Sequence, residues 1–311
     1  EIVLQNWSDA ERTLTPLAAL DPVPRAVALA LANVQLRLGK ATHAVLKLEA
    51  FLDGHPDDLA AKLLLGQAKL ALGEVAPARA LVTDLERAAP EAIAVLVLSA
   101  SVSLAESAFA SALKTFRRAS QLAPGGRFIV GEAHALRGLN KPKEARSVLE
   151  KWLESHPEDI PVQRALGELA LRANESDDAI ARYDTILTKH PNDIVALNNA
   201  AWLLLDRQPA KAREFAERAF NLRPEHPAVL DTYGWVLANT GNPQQAIRHL
   251  RKAVELMKGE PGHRYRLALA YSRADDRQLA LQQLDEILDQ TRAFPERDDA
   301  KSLRTELRSR R

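Results

Sequence analysis

Seven prolines recur along this chain at an almost fixed interval. Pro22, Pro56, Pro90, Pro124, Pro157, Pro191 and Pro224 stand 34, 34, 34, 33, 34 and 33 residues apart. A second series, Pro227, Pro261 and Pro295, carries the 34-residue step past Lys258 and Arg292, where the first series lapses. A repeat of this length constrains the fold more than any other property, because one structural unit must recur and bury its apolar face against its neighbours.

Other residues keep the same register. Ala44, Ala78, Ala112, Ala145, Ala179, Ala212, Ala246 and Ala280 form one ladder, and Ala10 continues it backwards. Ala32, Gly66, Ala100, Gly167, Ala201, Gly234 and Ala268 form a second. Leu48, Val82, Phe116, Leu149, Tyr183, Leu250 and Leu284 each follow a ladder alanine by four residues, and Ala119, Ala219 and Ala253 fill one more small position. The small residues let two helices cross closely, and the large one fills the gap beside them. Gly39, Gly73 and Gly241 mark a turn that needs a left-handed residue. Each proline ends the second helix of a unit and disfavours a helical residue before it. Asp58, Glu158 and Asp193 then place negative charge at the next helix start, where the helix dipole favours it.

Composition agrees with a helical reading. The chain is 46% apolar, mainly Ala and Leu, but only 5% aromatic, and it holds 13 glycines among 311 residues. Sheets favour the β-branched and aromatic residues that are scarce here. The absence of cysteine excludes disulfides, thiolate metal sites and cysteine nucleophiles, and leaves periplasm and cytosol equally open. With 42 basic and 41 acidic side chains there is no dominant basic field for a polyanion. The most apolar stretch, residues 92–105, is interrupted by three serines and falls short of the about 20 residues a bilayer requires.

This pattern resembles the tetratricopeptide repeat (TPR) family, whose unit is a 34-residue helix–turn–helix. The resemblance covers essentially the whole chain, although the family's early tryptophan is replaced by residues such as Ala28, Lys62 and Leu96. It implies an all-α superhelical solenoid of antiparallel helix pairs in a single domain, 1–311. Eight full repeats are expected at 23–56, 57–90, 91–124, 125–157, 158–191, 192–224, 225–258 and 259–292. Residues 1–22 read as a half-unit whose first helix is missing, so an exposed apolar face and further chain upstream are expected there. Residues 293–311 read as a capping helix with Phe294, Ala300, Leu303 and Leu307 inward.

Catalytic signatures are absent, so no enzymatic activity is expected. Gly39-Lys40 lacks the upstream glycine and the hydroxyl residue of a phosphate loop. No two of the eight histidines lie four apart on one expected helix, so no metal or other cofactor is expected. His55, His156 and His190 directly precede a repeat proline, where an imidazole can cap free helix carbonyls.

By the same resemblance, ligands bind the concave surface lined by the first helix of each unit. Its positions in this chain include Phe128, Arg164, Glu168, Asn198, Trp202, Asp231, Trp235 and Tyr265. The lysines, asparagines and arginine with which chaperone-binding members clamp a terminal carboxylate are not present as a set. Trp202 and Trp235 take equivalent places in adjacent repeats, Asn198 and Asp231 stand one turn before them, and Tyr265 follows in the next repeat. These aromatics either pack between first helices or form a recognition surface.

Residues 195–202 (Val-Ala-Leu-Asn-Asn-Ala-Ala-Trp), 227–235 (Pro-Ala-Val-Leu-Asp-Thr-Tyr-Gly-Trp) and 264–268 (Arg-Tyr-Arg-Leu-Ala) carry a narrower likeness. This last third resembles bacterial TPR lipoproteins found with PEP-CTERM/exosortase and exopolysaccharide export systems. That resemblance implies a periplasmic scaffold for export or sorting proteins, with any membrane anchor upstream of these residues. A carbohydrate-binding solenoid that guides a polymer, or a cytosolic adaptor, are the alternatives. Nucleic acid is not an expected partner.

Overall fold

A computed structural model describes residues 2–20, 22–289 and 293–309 of the chain. Those residues form helices joined by short turns, with no strand among them. In chain order the helices are α1 (Ile2–Leu17), α2 (Arg25–Arg37), α3 (Ala41–Gly54), α4 (Leu59–Ala71), α5 (Val75–Ala88) and α6 (Ile93–Ala105). Next come α7 (Phe109–Leu122), α8 (Gly126–Gly138), α9 (Pro142–Ser155), α10 (Ile160–Arg172), α11 (Ser176–Lys189) and α12 (Ile194–Leu204). The last six are α13 (Pro209–Leu222), α14 (Pro227–Asn239), α15 (Pro243–Leu256), α16 (Pro261–Arg273), α17 (Arg277–Asp289) and α18 (Arg297–Ser309). The even-numbered helices α2 to α16 are the first helices of successive hairpins. The expected all-α architecture of TPR helix pairs is therefore present.

The proline ladder sets the phase. Helices α3, α5, α7, α9, α11 and α13 each stop two residues before a ladder proline. The residue between is held away from helical geometry, with φ and ψ of −136° and 60° at His55 and −145° and 70° at Arg223. Every alanine of the main ladder from Ala44 to Ala280 has no exposed surface, and Leu48, Val82, Leu149, Tyr183, Leu250 and Leu284 beside them are equally inaccessible. At Gly234 an added Cβ would lie 2.7 Å from Leu250 Cγ and 3.2 Å from the Ala246 carbonyl oxygen, so the helices can approach this closely only without a side chain.

Turn and cap chemistry follows the repeat with local substitutions. Gly39, Gly73 and Gly241 have φ of 73°, 77° and 84°. Ser107, Asn140, Asn174 and Asp275 take the same left-handed position in other repeats. Asp58 and Asp193 cap α4 and α12 by accepting the Ala61 and Ala196 amides, each at 2.9 Å. Ahead of α10 Asp159 accepts the Val162 amide at 3.2 Å, two residues after its ladder proline as Asp58 and Asp193 are. His55 Nδ1 lies 3.1 Å from the Phe51 carbonyl and His156 Nδ1 3.3 Å from that of Trp152, as expected of C-terminal caps; His190 makes no such bond.

The chain divides between Ala165 and Leu166 into two compact units. In the first, apolar clusters follow one another along the chain. One joins Leu48 and Phe51 of α3 to Leu65 of α4, a second joins Val82 and Leu85 of α5 to Leu98 and Val102 of α6, and a third joins Leu96, Phe116 and Phe128. Phe128, expected to face the groove, is instead 2% exposed, packed in the cluster that holds Leu96, Phe116 and the small Ala100, Ala112 and Ala119. In the second unit Leu237, Leu250, Tyr271, Leu284, Ile287 and Leu307 form a continuous core reaching α18. Ala300 and Leu307 of α18 are buried, with Phe294 and Leu303 packed against that core. Arg310, Arg311 and the end of the last expected repeat, 290–292, lie outside the described residues. Within each unit successive first helices touch, α2–α4–α6–α8 in one and α12–α14–α16 in the other, whereas successive second helices make no contact of that extent. The first helices therefore form the more closely spaced inner layer of each unit.

Candidate functional site

In the second unit the expected groove residues on α12, α14 and α16 fall on the inner layer. Arg164 and Glu168 lie half-buried on α10, Arg164 in the first unit and Glu168 in the second. Asn198 and Trp202 are on α12, Asp231 and Trp235 on α14, and Tyr265 on α16. The spacing of four residues places each member of a pair on the same face of its helix, one turn apart.

Contact between α12 and α14 brings the two tryptophans together. Their ring centroids are 6.3 Å apart, in an offset stack with planes 29° from parallel. Trp202 is 41% exposed, while Trp235 is half-buried. The indoles thus pack against each other between first helices, and Trp202 keeps exposed surface. Tyr265 is half-buried against the core of the second unit. Burial and the nearby Asp299 and Glu296 carboxylates push its hydroxyl above the usual tyrosine value.

Asp231 is 5% exposed and its carboxylate is engaged inside the protein. Arg266 donates from Nε to Oδ1 at 3.1 Å, and its Nη2 lies 2.8 Å from Oδ2, a two-pronged pairing that suits the guanidinium fork. His263 Nδ1 lies 3.0 Å from Asp231 Oδ1 and 2.6 Å from Arg266 Nη2. Burial alone would push the Asp231 carboxyl up. The His263 hydrogen bond and the charge and hydrogen bond of Arg266 outweigh it and hold the carboxyl below its ordinary value. Asp231 therefore serves the site by fixing Arg266, whose guanidinium stands 5.3 Å over the Trp202 ring. Arg273 repeats this one step along, 5.3 Å over the Trp235 ring. A guanidinium over an indole face is favourable electrostatically and tolerates partial desolvation.

Asn198 is half-buried and its Oδ1 is inaccessible with no hydrogen-bond partner among the described residues. Its neighbour Asn199 is used structurally, donating from Nδ2 to the Tyr183 hydroxyl at 3.0 Å. Tyr183 is fully buried, and burial, opposed by the Asn199 bond and aided by Glu168, pushes its hydroxyl up to about 12.

Arg266, His263 and Arg273 were not among the expected site residues. Comparison of equivalent positions conceals them. Arg266 stands 35 residues after Asp231, one place beyond the repeat equivalent, because adjacent helices meet with an offset. Among the described residues no group of three His, Cys, Asp or Glu could hold a metal ion, and no helix is long and apolar enough to cross a membrane.

Helix pairs repeating every 34 residues, with a stacked tryptophan pair as a ledge on their inner layer, define a helical repeat protein. Tetratricopeptide-repeat family models match residues 136–201 and, in two overlapping placements, 2–58 and 29–93. The chain belongs to the tetratricopeptide repeat family. It is 29% identical over 126 residues to the TPR repeat-containing protein PA4667 of Pseudomonas aeruginosa, a match covering 40% of this chain and 21% of that protein. The chain thus spans about a fifth of the length of that curated relative. Its fold is similar to that of the Cut9–Hcn1 APC/C hetero-tetramer, with a TM-score of 0.67, 17% identity, and coverage of 96% of this chain and 59% of that one. It is similar also to a tetratricopeptide repeat protein from Parabacteroides merdae, with a TM-score of 0.56, 16% identity, and coverage of 78% and 97%. At these identities the structural likeness concerns the fold.

Proposed function

We propose that this chain is a non-enzymatic scaffold that binds partner proteins on the inner layer of its second unit. The TPR fold itself points to protein–protein interaction. The observation that carries the reading is the stacked Trp202–Trp235 pair with a guanidinium over each ring. Such an arrangement offers apolar contact area, indole N–H donors and positive charge on a preorganised surface, the composition that dominates binding energy at protein interfaces. The carboxylate and histidine around Arg266 hold one guanidinium in place.

The narrower setting is the bacterial envelope. The likeness of residues 195–268 to TPR lipoproteins of exopolysaccharide export and PEP-CTERM sorting supports a periplasmic scaffold, anchored through chain outside these residues, with export or sorting proteins as partners. A carbohydrate ligand is less well supported. Sugars stack on open indole faces, and here guanidinium groups compete for them.

The test compares Trp202→Ala and Trp235→Phe with the unaltered chain for binding to envelope proteins and to exopolysaccharide fragments, with thermal unfolding measured alongside. Truncation of an interface tryptophan costs about 2 kcal/mol of binding or more. We expect Trp202→Ala to lose protein binding while its melting transition stays nearly unchanged. Full retention of binding by both folded variants would place the site elsewhere.

A further inference from the structure

The two arginine–tryptophan pairs of the ledge differ in one respect. Arg266 has its counter-ion built in, with Asp231 Oδ2 at 2.8 Å and Glu296 Oε1 at 4.0 Å. Arg273 occupies the same kind of place over Trp235, but no carboxylate among the described residues pairs with it. Two acids near this end of the helix are engaged elsewhere: Asp276 caps α17 by accepting the Leu279 amide at 3.2 Å, and Glu296 lies 4.0 Å from Arg266. Arg273 is exposed as a residue while its guanidinium lies over the Trp235 ring, and partial desolvation, offset in part by Tyr265, holds it below the ordinary arginine value. Desolvating a cation without a partner is unfavourable, and an incoming anion reverses the cost. Tyr265, Leu269 and Arg273 follow one another at four-residue steps, so they share one face of α16.

Taking the inner layer as the binding surface, we infer that Arg273 with Trp235 reads a carboxylate side chain, and that the partner segment is an acidic peptide with an apolar residue beside the acid. The guanidinium fork matches a carboxylate with two parallel hydrogen bonds. Leu269 and the exposed part of the Trp202–Trp235 pair receive the apolar neighbour. An acidic polysaccharide would supply carboxylates too, but its sugar rings need the indole faces that Arg266 and Arg273 cover.

The test selects a random dodecapeptide display library on the whole chain and, in parallel, on Arg273→Gln and Arg273→Lys, each confirmed folded by its melting curve. We expect the unaltered chain to enrich Asp or Glu next to an apolar residue, Arg273→Gln to lose that enrichment, and Arg273→Lys to keep part of it. A synthetic winner with its acid changed to the amide should bind about tenfold more weakly, the scale of one charge-assisted hydrogen bond. Equal peptide pools from the unaltered chain and Arg273→Gln would overturn the carboxylate reading and leave peptide binding intact. Calorimetry with oligogalacturonate forms the other arm. Its Arg273-dependent binding, without any peptide pool, would assign the ledge to polysaccharide. Neither peptide nor sugar binding would overturn the groove reading itself.

Discussion

Asp231 shows how much one residue can organise here. Its carboxylate is buried, gripped by Arg266 and His263, and held below its ordinary value of 3.8. A carboxyl depressed in the folded state adds stability that is present above the unfolded value and lost as pH falls through the folded one. The second unit should therefore keep this contribution at neutral pH and lose it progressively below about pH 4. Asp231→Asn should cost about 3 kcal/mol at pH 7, because it leaves Arg266 partly buried without its anion. The deficit should shrink as the pH is lowered toward 2, which chemical denaturation at several pH values will show. At Gly73 the demand is conformational. Its φ is 77° and an added Cβ would meet nothing within 4 Å, so Gly73→Ala should cost about 1 kcal/mol through backbone strain alone. A denaturant melt showing no change would mean that the turn relaxes.

Between elements, the alanine ladder fixes how the two helices of each hairpin meet. Ala179 and Ala246 are inaccessible at the helix crossing. Replacing either with Leu should cost about 1–3 kcal/mol by overpacking, whereas Gln245→Leu on the exposed face of α15 should cost little. Equal denaturation midpoints for Ala246→Leu and Gln245→Leu would contradict the crossing. This much was legible in the sequence, because each ladder residue does the same job in every unit and so recurs in register. Residues that act between successive repeats were less legible. Trp202 and Trp235 recur in register and so stand out, but Arg266 meets Asp231 one place out of register and His263 has no counterpart. The left-handed turns were visible only where glycine fills them. Ser107, Asn140, Asn174 and Asp275 pay the conformational cost themselves and leave no glycine signal. The cap at α10 is Asp159, which stands two residues after its ladder proline as Asp58 and Asp193 do and accepts the Val162 amide.

At the scale of the whole molecule, we propose that binding resides in the inner layer of first helices, with the second helices packed against them. In the second unit that layer joins exposed aromatic surface with a fixed guanidinium at Arg266 and one at Arg273 that no carboxylate among the described residues pairs with. The most direct test of this claim places a photoreactive benzoylphenylalanine at position 202, at position 235, and at exposed Leu46 or Gln245 on second helices as controls. The four chains are irradiated in envelope extract, and the cross-linked peptides are identified by mass spectrometry. Recognition on the inner layer predicts one recurrent partner segment joined to positions 202 and 235 and absent from 46 and 245. A recurrent partner joined only to positions 46 or 245, with none at the tryptophan positions, would contradict it.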